Sequence, residues 1–318
     1  MKIVILDAYA ANPGDLSWAD FEKFGELIAY DRTPQELVVE RAKDADIIIS
    51  NKAVLDADTL KQLTKLKYIG MLSTGYNVVD IDAASKLGIT VCNVPTYSTT
   101  AVAQMTFALI LEICCRVGLH SEAVRCGEWC RREDFCFTLA PLTELAGKTI
   151  GIIGYGKIGA EVAKLADAFN MNILCYTPHE KPLPDYTNFK FVSLDELAKN
   201  SDIVSLHCPL TPQTEKMINA DFIGKMKNGA IIINTSRGQA IDESALAQAL
   251  NSGKIAAAGL DVLACEPPKE DNPLLKCKNC FITPHISWAS YETRKRLLGI
   301  VRDNLEAFLN GNAVNKVN

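Results

Sequence analysis

A glycine-rich segment at residues 154–159, GYGKIG, constrains the fold of this chain more than any other feature. An apolar run at 149–153 precedes it and predicts a buried strand, and a helical pattern over 161–169 follows it. In such a strand–turn–helix unit the first glycine forms the turn, the second lets the backbone approach a pyrophosphate, and the third lets the helix pack on the strand. The helix N-terminus then faces the negative charge of the ligand. The segment therefore predicts a dinucleotide-binding α/β unit.

Apolar runs alternate with helical patterns on both sides of this segment. The runs that predict strands lie at 2–7, 46–50, 67–72 and 90–93 before it, and at 149–153, 172–176, 203–206, 230–234, 257–262 and 281–283 in the second half. Alternation of strand and helix predicts parallel sheets with right-handed crossovers. We therefore expect an α/β protein with two Rossmann-like, doubly wound parallel-sheet domains.

Several helices are marked by their end signals. Thr33 is expected to cap a helix that has Pro34 at its first position and Glu36 in a capping box. Asp242 is expected to cap another that ends near Gly253. Residues 101–118 are apolar on nearly every side, which predicts a helix buried either between domains or against another subunit.

The domain boundaries follow from the last amphipathic helix, at 289–310, which we expect to return to the first half of the chain. The predicted substrate domain is therefore discontinuous, comprising residues 1–99 and 288–318. Residues 100–287 form the predicted dinucleotide-binding domain.

Composition excludes several classes of protein. The net charge of the 318 residues is −5 with no basic block, so a nucleic-acid partner is not expected. The N-terminal apolar run is too short for a signal peptide, and the longest apolar stretch falls short of a membrane span. Eleven cysteines, an odd number, do not form a secreted disulfide framework, and the C-x-x-C at 277–280 lacks the second pair that a zinc site needs. We expect a soluble cytoplasmic protein without a metal.

Three polar residues in the second half suggest a reaction. Arg237, Glu266 and His285 each follow a predicted strand, and open α/β sheets bind their ligands at the carboxyl ends of the strands. The guanidinium suits a carboxylate, which it can hold by two hydrogen bonds. The imidazole can protonate a carbonyl oxygen as hydride arrives, and a neighbouring carboxylate would favour its charged form. Together with a dinucleotide site, this is the chemistry of carbonyl reduction.

The ribose-binding position leaves the choice of dinucleotide open. An acidic residue is expected about 20 residues after the glycines, but Thr177 stands there. Glu180 could substitute for it, whereas His179 and Lys181 would equally bind a 2′-phosphate. NAD is the expected cofactor, and NADP is not excluded.

These motifs resemble the D-isomer-specific 2-hydroxyacid dehydrogenases over nearly the whole chain. The matching segments are GYGKIG at 154–159, LHCPLT at 206–211, NTSRG at 234–238, GLDV at 259–262 with Glu266-Pro267, and PHI at 284–286. The resemblance implies that Arg237, Glu266 and His285 are catalytic. It also implies that backbone N–H groups of Thr74 and Gly75 bind the substrate carboxylate, that Asp261 contacts the nicotinamide carboxamide, and that the protein is a homodimer.

Within this family the glycerate dehydrogenase (hydroxypyruvate reductase) branch is the most similar, through 12–18, 50–52 and 287–289. Lys52 and Trp288 are expected to shape a pocket for a small 2-oxo or D-2-hydroxy acid, either hydroxypyruvate/D-glycerate or glyoxylate. The alternatives are a phosphoglycerate or D-lactate type of dehydrogenase, or a non-catalytic nucleotide-sensing protein like the corepressors that keep this fold. The cofactor contacts expected overall are Gly154, Gly156, Lys157, Ile158, Gly159, Thr177, His207, Cys208, Pro209, Thr214, Thr235, Ser236 and Asp261.

Overall fold

The chain forms two units, each built on one parallel sheet. The computed structural model describes residues 1–179 and 181–318. Unit 1 comprises Met1–Ser98 and Ala289–Asn318, and unit 2 comprises Thr99–Trp288. The prediction of an α/β fold with two parallel-sheet domains, one of them discontinuous, is confirmed.

Unit 1 contains a five-stranded sheet in the order β2-β1-β3-β4-β5. Its strands are β1 (Lys2–Ile5), β2 (Glu26–Ala29), β3 (Ile47–Ser50), β4 (Tyr68–Met71) and β5 (Thr90–Cys92). Its helices are α1 (Ala19–Glu22), α2 (Val38–Ala42), α3 (Ala57–Gln62), α4 (Ile81–Lys86) and the C-terminal α11 (Tyr291–Leu309), which packs on β4. The strand order reverses between β1 and β3, and ligands of open sheets bind at such a point.

The helix cap predicted at Thr33 is wrong. Pro34 has extended torsion angles, φ −56° and ψ 145°, and a short 3₁₀ turn, Gln35–Leu37, precedes α2 without a side-chain cap. The Gln35 side chain instead bonds the backbone of Val54, and the Thr33 hydroxyl accepts a hydrogen bond from Arg41. Contacts with other segments therefore override the local capping pattern.

Unit 2 contains a seven-stranded sheet in the order β12-β11-β10-β9-β6-β7-β8. Its strands are β6 (Thr149–Ile153), β7 (Asn172–Tyr176), β8 (Phe189–Phe191), β9 (Ile203–Leu206), β10 (Ala230–Asn234), β11 (Ile255–Leu260) and β12 (Cys280–Ile282). The order reverses between β6 and β9, which is the arrangement of dinucleotide-binding sheets. Strand β11 begins and ends two residues earlier than the sequence pattern predicts, because its last pairing partners are Asn234 and Ile282.

Two apolar cores cover the two faces of this sheet. The helices of unit 2 are α5 (Thr99–Cys115), α6 (Val117–Arg125), α7 (Lys157–Ala168), α8 (Leu194–Asn200), α9 (Ala220–Lys225) and α10 (Glu243–Ser252). The apolar helix α5 packs on α7, β10 and β11 of its own unit, where Phe107 stacks on Phe169. It ends at Cys115, and Arg116, with a φ of 53°, separates it from α6. The single helix predicted over 101–118 is therefore wrong.

Candidate functional site

The glycine segment lies where β6 ends, beside the end of β9. Gly154 has a φ of 100°, and a Cβ placed on it would lie 2.8 Å from the carbonyl carbon of His207. Only glycine fits a turn that combines this torsion angle with so close a neighbour. Its N–H donates to the Tyr176 carbonyl at 2.8 Å, which joins the turn to the end of β7.

The other two glycines differ in their surroundings. A Cβ on Gly159, in the first turn of α7, would lie 2.0 Å from the carbonyl oxygen of Gly154. A Cβ on Gly156 would have no heavy atom within 4 Å. The backbone at Gly156 is therefore open to a ligand, whereas Gly159 lets α7 begin directly against the turn. Lys157 and Ile158 are the first two residues of this helix.

The segment after β9 forms the facing side of the turn. The His207 Nε2 atom pairs with the Ser205 hydroxyl at 2.8 Å, while its Nδ1 atom is buried without a hydrogen-bond partner among the described residues. Burial lowers the pKa of His207 to about 3 and raises that of the Cys208 thiol, so both side chains are neutral at physiological pH. The Thr214 hydroxyl donates to the Pro209 carbonyl at 2.7 Å and closes the loop that follows.

Thr177 lies just past the end of β7, as the sequence predicts for the ribose position. It lines a cavity of about 330 Å³ together with Pro178, His179, Lys181 and Phe191. Glu180 lies outside the described residues. The described lining therefore contains a hydroxyl, an imidazole and an ammonium group.

Arg237 lies in the turn after β10, and the buried side-chain amide of Asn234 holds the backbone of this turn. The Asn234 side chain, which exposes no surface, donates to the Arg237 carbonyl at 2.9 Å and accepts from the Ser236 N–H at 2.9 Å. The guanidinium is exposed, with Nη1 donating to the Ser236 carbonyl at 2.7 Å. Thr235 is buried, and its hydroxyl pairs with that of Thr106 at 3.0 Å. Sequence reasoning did not identify Asn234 as the residue that shapes this turn. The signal that could have found it is an amide side chain at the end of a predicted buried strand.

The structure brings Glu266 and His285 into contact. The Glu266 Oε2 atom lies 2.6 Å from His285 Nδ1, and each side chain is about one-third exposed. The second oxygen of Glu266 accepts from the Leu263 N–H at 3.0 Å. The contact forms because β11 and β12 are neighbours, so the loops after them meet at one edge of the sheet. This was the expected pairing, and the sequence alone could not show it.

Two further contacts hold the loop that carries Glu266. Glu243, the first residue of α10, accepts from the Ala264 N–H at 2.8 Å and from the Asn272 amide at 2.9 Å. The Gln239 amide donates to the Ala264 carbonyl at 2.9 Å. Residues from the turn that follows Arg237 therefore touch the loop of Glu266. Sequence reasoning did not identify Glu243 or Gln239.

In unit 1, the Asp7 carboxylate organises the turn after β3. It accepts from the N–H groups of Asn51 at 2.8 Å and Ala53 at 3.1 Å, and also from that of Lys52 between them. Asp7 follows β1, so this clamp lies at the point where the strand order of unit 1 reverses. The Lys52 side chain is exposed. Asp7 was not among the residues that the sequence pattern identified.

The loop of Thr74 and Gly75 follows β4. The Thr74 hydroxyl donates to the Val94 carbonyl at 2.6 Å, and its own carbonyl accepts from the Asn93 amide at 2.7 Å. The Ser73 hydroxyl donates to the Gly75 carbonyl at 2.6 Å. Within residues 1–179 and 181–318, neither the Thr74 nor the Gly75 N–H donates to a protein acceptor. These two groups are suited to an anionic ligand.

The part of the chain that the structure describes contains no group of three or more His, Cys, Asp or Glu side chains that could hold a metal ion. No single described helix is long and apolar enough to cross a membrane. The pair α5 and α6 passes that test only when joined across a 57° bend.

Comparison with known proteins agrees with the geometry. Residues 107–287 match the family model described as "D-isomer specific 2-hydroxyacid dehydrogenase, NAD binding domain". A hydroxypyruvate reductase of Blautia hydrogenotrophica is 51% identical over the full length of both chains. A glycerate dehydrogenase of Methylorubrum extorquens is 40% identical, covering 99% of this chain and 98% of that one. The crystal structure of the TT0316 protein of Thermus thermophilus has a TM-score of 0.89 and 35% identity, with full coverage of both chains. The resemblance inferred from the motifs is confirmed, and the chain belongs to the D-isomer-specific 2-hydroxyacid dehydrogenase family.

Proposed function

We propose that this enzyme reduces hydroxypyruvate to D-glycerate, and catalyses the reverse reaction, with NAD(P) as its cofactor. The observation that carries the proposal is the Glu266–His285 contact of 2.6 Å at the carboxyl edge of the unit 2 sheet. The 51% identical relative from Blautia hydrogenotrophica is a hydroxypyruvate reductase, which supports this substrate over other 2-oxo acids. Glyoxylate, which lacks only the hydroxymethyl group, is the second expected substrate.

The described residues fit a bound dinucleotide. The backbone at Gly156 is open, α7 starts beside it, and the buried Nδ1 atom of His207 has no partner among the described residues. We propose that unit 2 is the dinucleotide-binding domain and that twelve of the thirteen residues named above as cofactor contacts, all except Asp261, belong to this site. When bound, the reduced nicotinamide supplies the hydride.

The residues of the chain then bind the acid and supply the proton. In unit 2, Arg237 is proposed to bind the substrate carboxylate. In unit 1, the N–H groups of Thr74 and Gly75 are proposed to bind an anionic group. Because Nδ1 of His285 faces Glu266, Nε2 is the atom that gives a proton to the carbonyl oxygen. Glu266 stabilises the charged imidazole and fixes its orientation. Lys52 of unit 1 and Trp288 of unit 2 are each proposed as substrate contacts.

A rate comparison tests this function. Initial rates are measured on hydroxypyruvate, glyoxylate, pyruvate and phosphohydroxypyruvate, each with NADH and with NADPH. We expect the highest kcat/KM on hydroxypyruvate and activity with NADH. The Thr177 cavity, whose described lining holds no carboxylate, leads us to expect measurable activity with NADPH as well. A highest kcat/KM on phosphohydroxypyruvate or pyruvate would instead support a phosphoglycerate or D-lactate type of enzyme. Dinucleotide binding without turnover of any acid would support the non-catalytic alternative.

Replacing Asp7 in unit 1 tests the proposed role of Lys52 as a substrate contact. Asp7→Asn replaces an acceptor of three backbone N–H groups with an amide that can satisfy only some of them. Because the Lys52 turn loses its clamp, we expect KM for hydroxypyruvate to rise about tenfold, with a smaller change in kcat. The matched control is Asp46→Asn, since Asp46 accepts a backbone N–H of the same unit, from Lys2, ahead of β3. An unchanged KM in Asp7→Asn would contradict the proposed role of Lys52.

The oligomeric state is proposed from exposed apolar side chains on α6 and the segment after it. Phe135 is 88% exposed, and Val117, Leu119, Val124, Trp129, Leu139 and Leu142 are also exposed. A patch of this kind is typical of protein–protein contacts, and the family resemblance implies a homodimer.

We infer a cytoplasmic location because all eleven cysteines are free thiols, which is typical of a reducing compartment.

A further inference from the structure

The backbone of His285 has an unusual conformation. Its φ of 55° lies in the left-handed region, which residues other than glycine adopt rarely, and strained residues of this kind cluster at active sites. A proton donor in this conformation needs surroundings that hold the loop in place. The contact with Glu266 orients the imidazole ring, but it does not account for the path of the backbone.

The buried carboxylate of Asp261 accounts for that path. Its Oδ1 atom accepts from the Thr283 hydroxyl at 2.6 Å and from the Ile286 N–H at 2.9 Å, and its Oδ2 atom accepts from the Ser287 N–H at 2.9 Å. The Asp261 carbonyl accepts from the His285 N–H at 2.8 Å. One residue therefore bonds Thr283, the backbone of His285 itself, and the two residues that follow it.

The burial of Asp261 bears on the contact with the nicotinamide carboxamide that the family resemblance implies for it. The residue exposes none of its surface, and three of about four lone-pair positions on its carboxylate are already used within this loop. The family resemblance implies a contact between this carboxylate and the nicotinamide carboxamide. The hydrogen bonds point instead to the histidine loop.

We propose that Asp261 is the positioning residue for His285: its carboxylate holds residues 283–287 in the left-handed turn that places the imidazole for proton transfer. The proposal rests on the proposed function, in which His285 is the proton donor. A carboxylate suits this position because three donors converge on it, and an asparagine would direct an N–H₂ group at one of them. The effect should therefore fall on turnover and leave cofactor affinity unchanged.

The test compares Asp261→Asn with the wild type using two cofactors. The second is the 3-acetylpyridine analogue of NADH, in which a methyl group replaces the carboxamide nitrogen. If Asp261 positions His285, kcat should fall about 100-fold with both cofactors, because a displacement of about 1 Å at a reacting group has an effect of this size. The dissociation constant for NADH should not change. A weaker affinity for NADH, together with a kcat defect that disappears with the analogue, would overturn the proposal in favour of a cofactor contact.

Hydrogen exchange supplies a readout that does not need turnover. In Asp261→Asn the amides of Ile286 and Ser287 should exchange faster than in the wild type, and unchanged exchange would overturn the proposal. If the wild type reduces no 2-oxo acid, the proposed function fails, and the exchange result still decides whether Asp261 holds this turn. Thr283→Val, which removes one donor and keeps the carboxylate, should lower kcat less than Asp261→Asn and serves if that variant does not fold.

Asp202→Asn is the matched control in the same unit. Asp202 accepts from the Thr149 N–H at 2.8 Å and pairs with Lys227 at 2.8 Å, before the first residue of β9. The Asp202→Asn variant therefore loses comparable bonds at the amino edge of the same sheet, away from His285. Its kcat and the exchange of Ile286 and Ser287 should match the wild type.

Discussion

His285→Ala should lower kcat for hydroxypyruvate by a factor of about 10² to 10⁴, the usual contribution of a positioned general acid. This corresponds to about 3–5 kcal/mol of transition-state stabilisation. Dinucleotide affinity should stay unchanged, because the glycine segment and the loop after β9 are separate from the Glu266–His285 pair along the sheet. The measurements are steady-state kinetics and the quenching or enhancement of NADH fluorescence.

The companion variant Glu266→Gln separates orientation from proton transfer. The amide keeps the size of the side chain and can still bond His285, but it carries no charge to stabilise the imidazolium. We expect a loss of kcat smaller than that of His285→Ala and an intact affinity for NADH. Near-normal turnover in His285→Ala would remove the imidazole from the mechanism.

Gly159→Ala should have the second large effect, on cofactor binding and on stability. The added Cβ would lie 2.0 Å from the carbonyl oxygen of Gly154, a backbone atom that cannot move aside by changing rotamer. The start of α7 or the turn itself must shift, and overpacking of this kind costs about 1–3 kcal/mol or more. We expect dinucleotide affinity to fall at least tenfold and Tm to fall by several degrees, at about 2–4 °C per kcal/mol for a domain of this size.

The matched control is Gly299→Ala in α11. A Cβ at this position would have no heavy atom within 4 Å. Because alanine is a better helix former than glycine, this variant should gain about 0.5–1 kcal/mol in the free energy of unfolding. Equal responses of the two variants in thermal unfolding and NADH titration would show that the contact at Gly159 is not the cause.

The sequence patterns predicted the helix that is marked by capping residues at both ends, α10, and the central strands that are marked by apolar runs. The Asp242 side chain caps α10 by accepting from the Ala245 N–H at 3.0 Å, and Gly253 ends that helix with a φ of 76°. Strands β2 and β8 were missed because edge strands bury little surface: β2 is only partly buried, and β8 has three residues. An apolar run marks a central strand far better than an edge strand.

The sequence by itself determined that Arg237, Glu266 and His285 follow successive strands of one parallel sheet, so they had to gather at its carboxyl edge. It also determined the glycine turn, since the glycines and their flanking elements are adjacent in the chain. Only the tertiary structure decided that Glu266 contacts His285 and that Asp7 accepts hydrogen bonds from the turn that contains Lys52. It also decided that the buried Asp261 bonds the loop in which His285 has a left-handed backbone conformation. The physical reason is that periodicity encodes which residues are buried. Hydrogen bonds between residues some 20 or more positions apart depend on strand register and loop path, which no local pattern records.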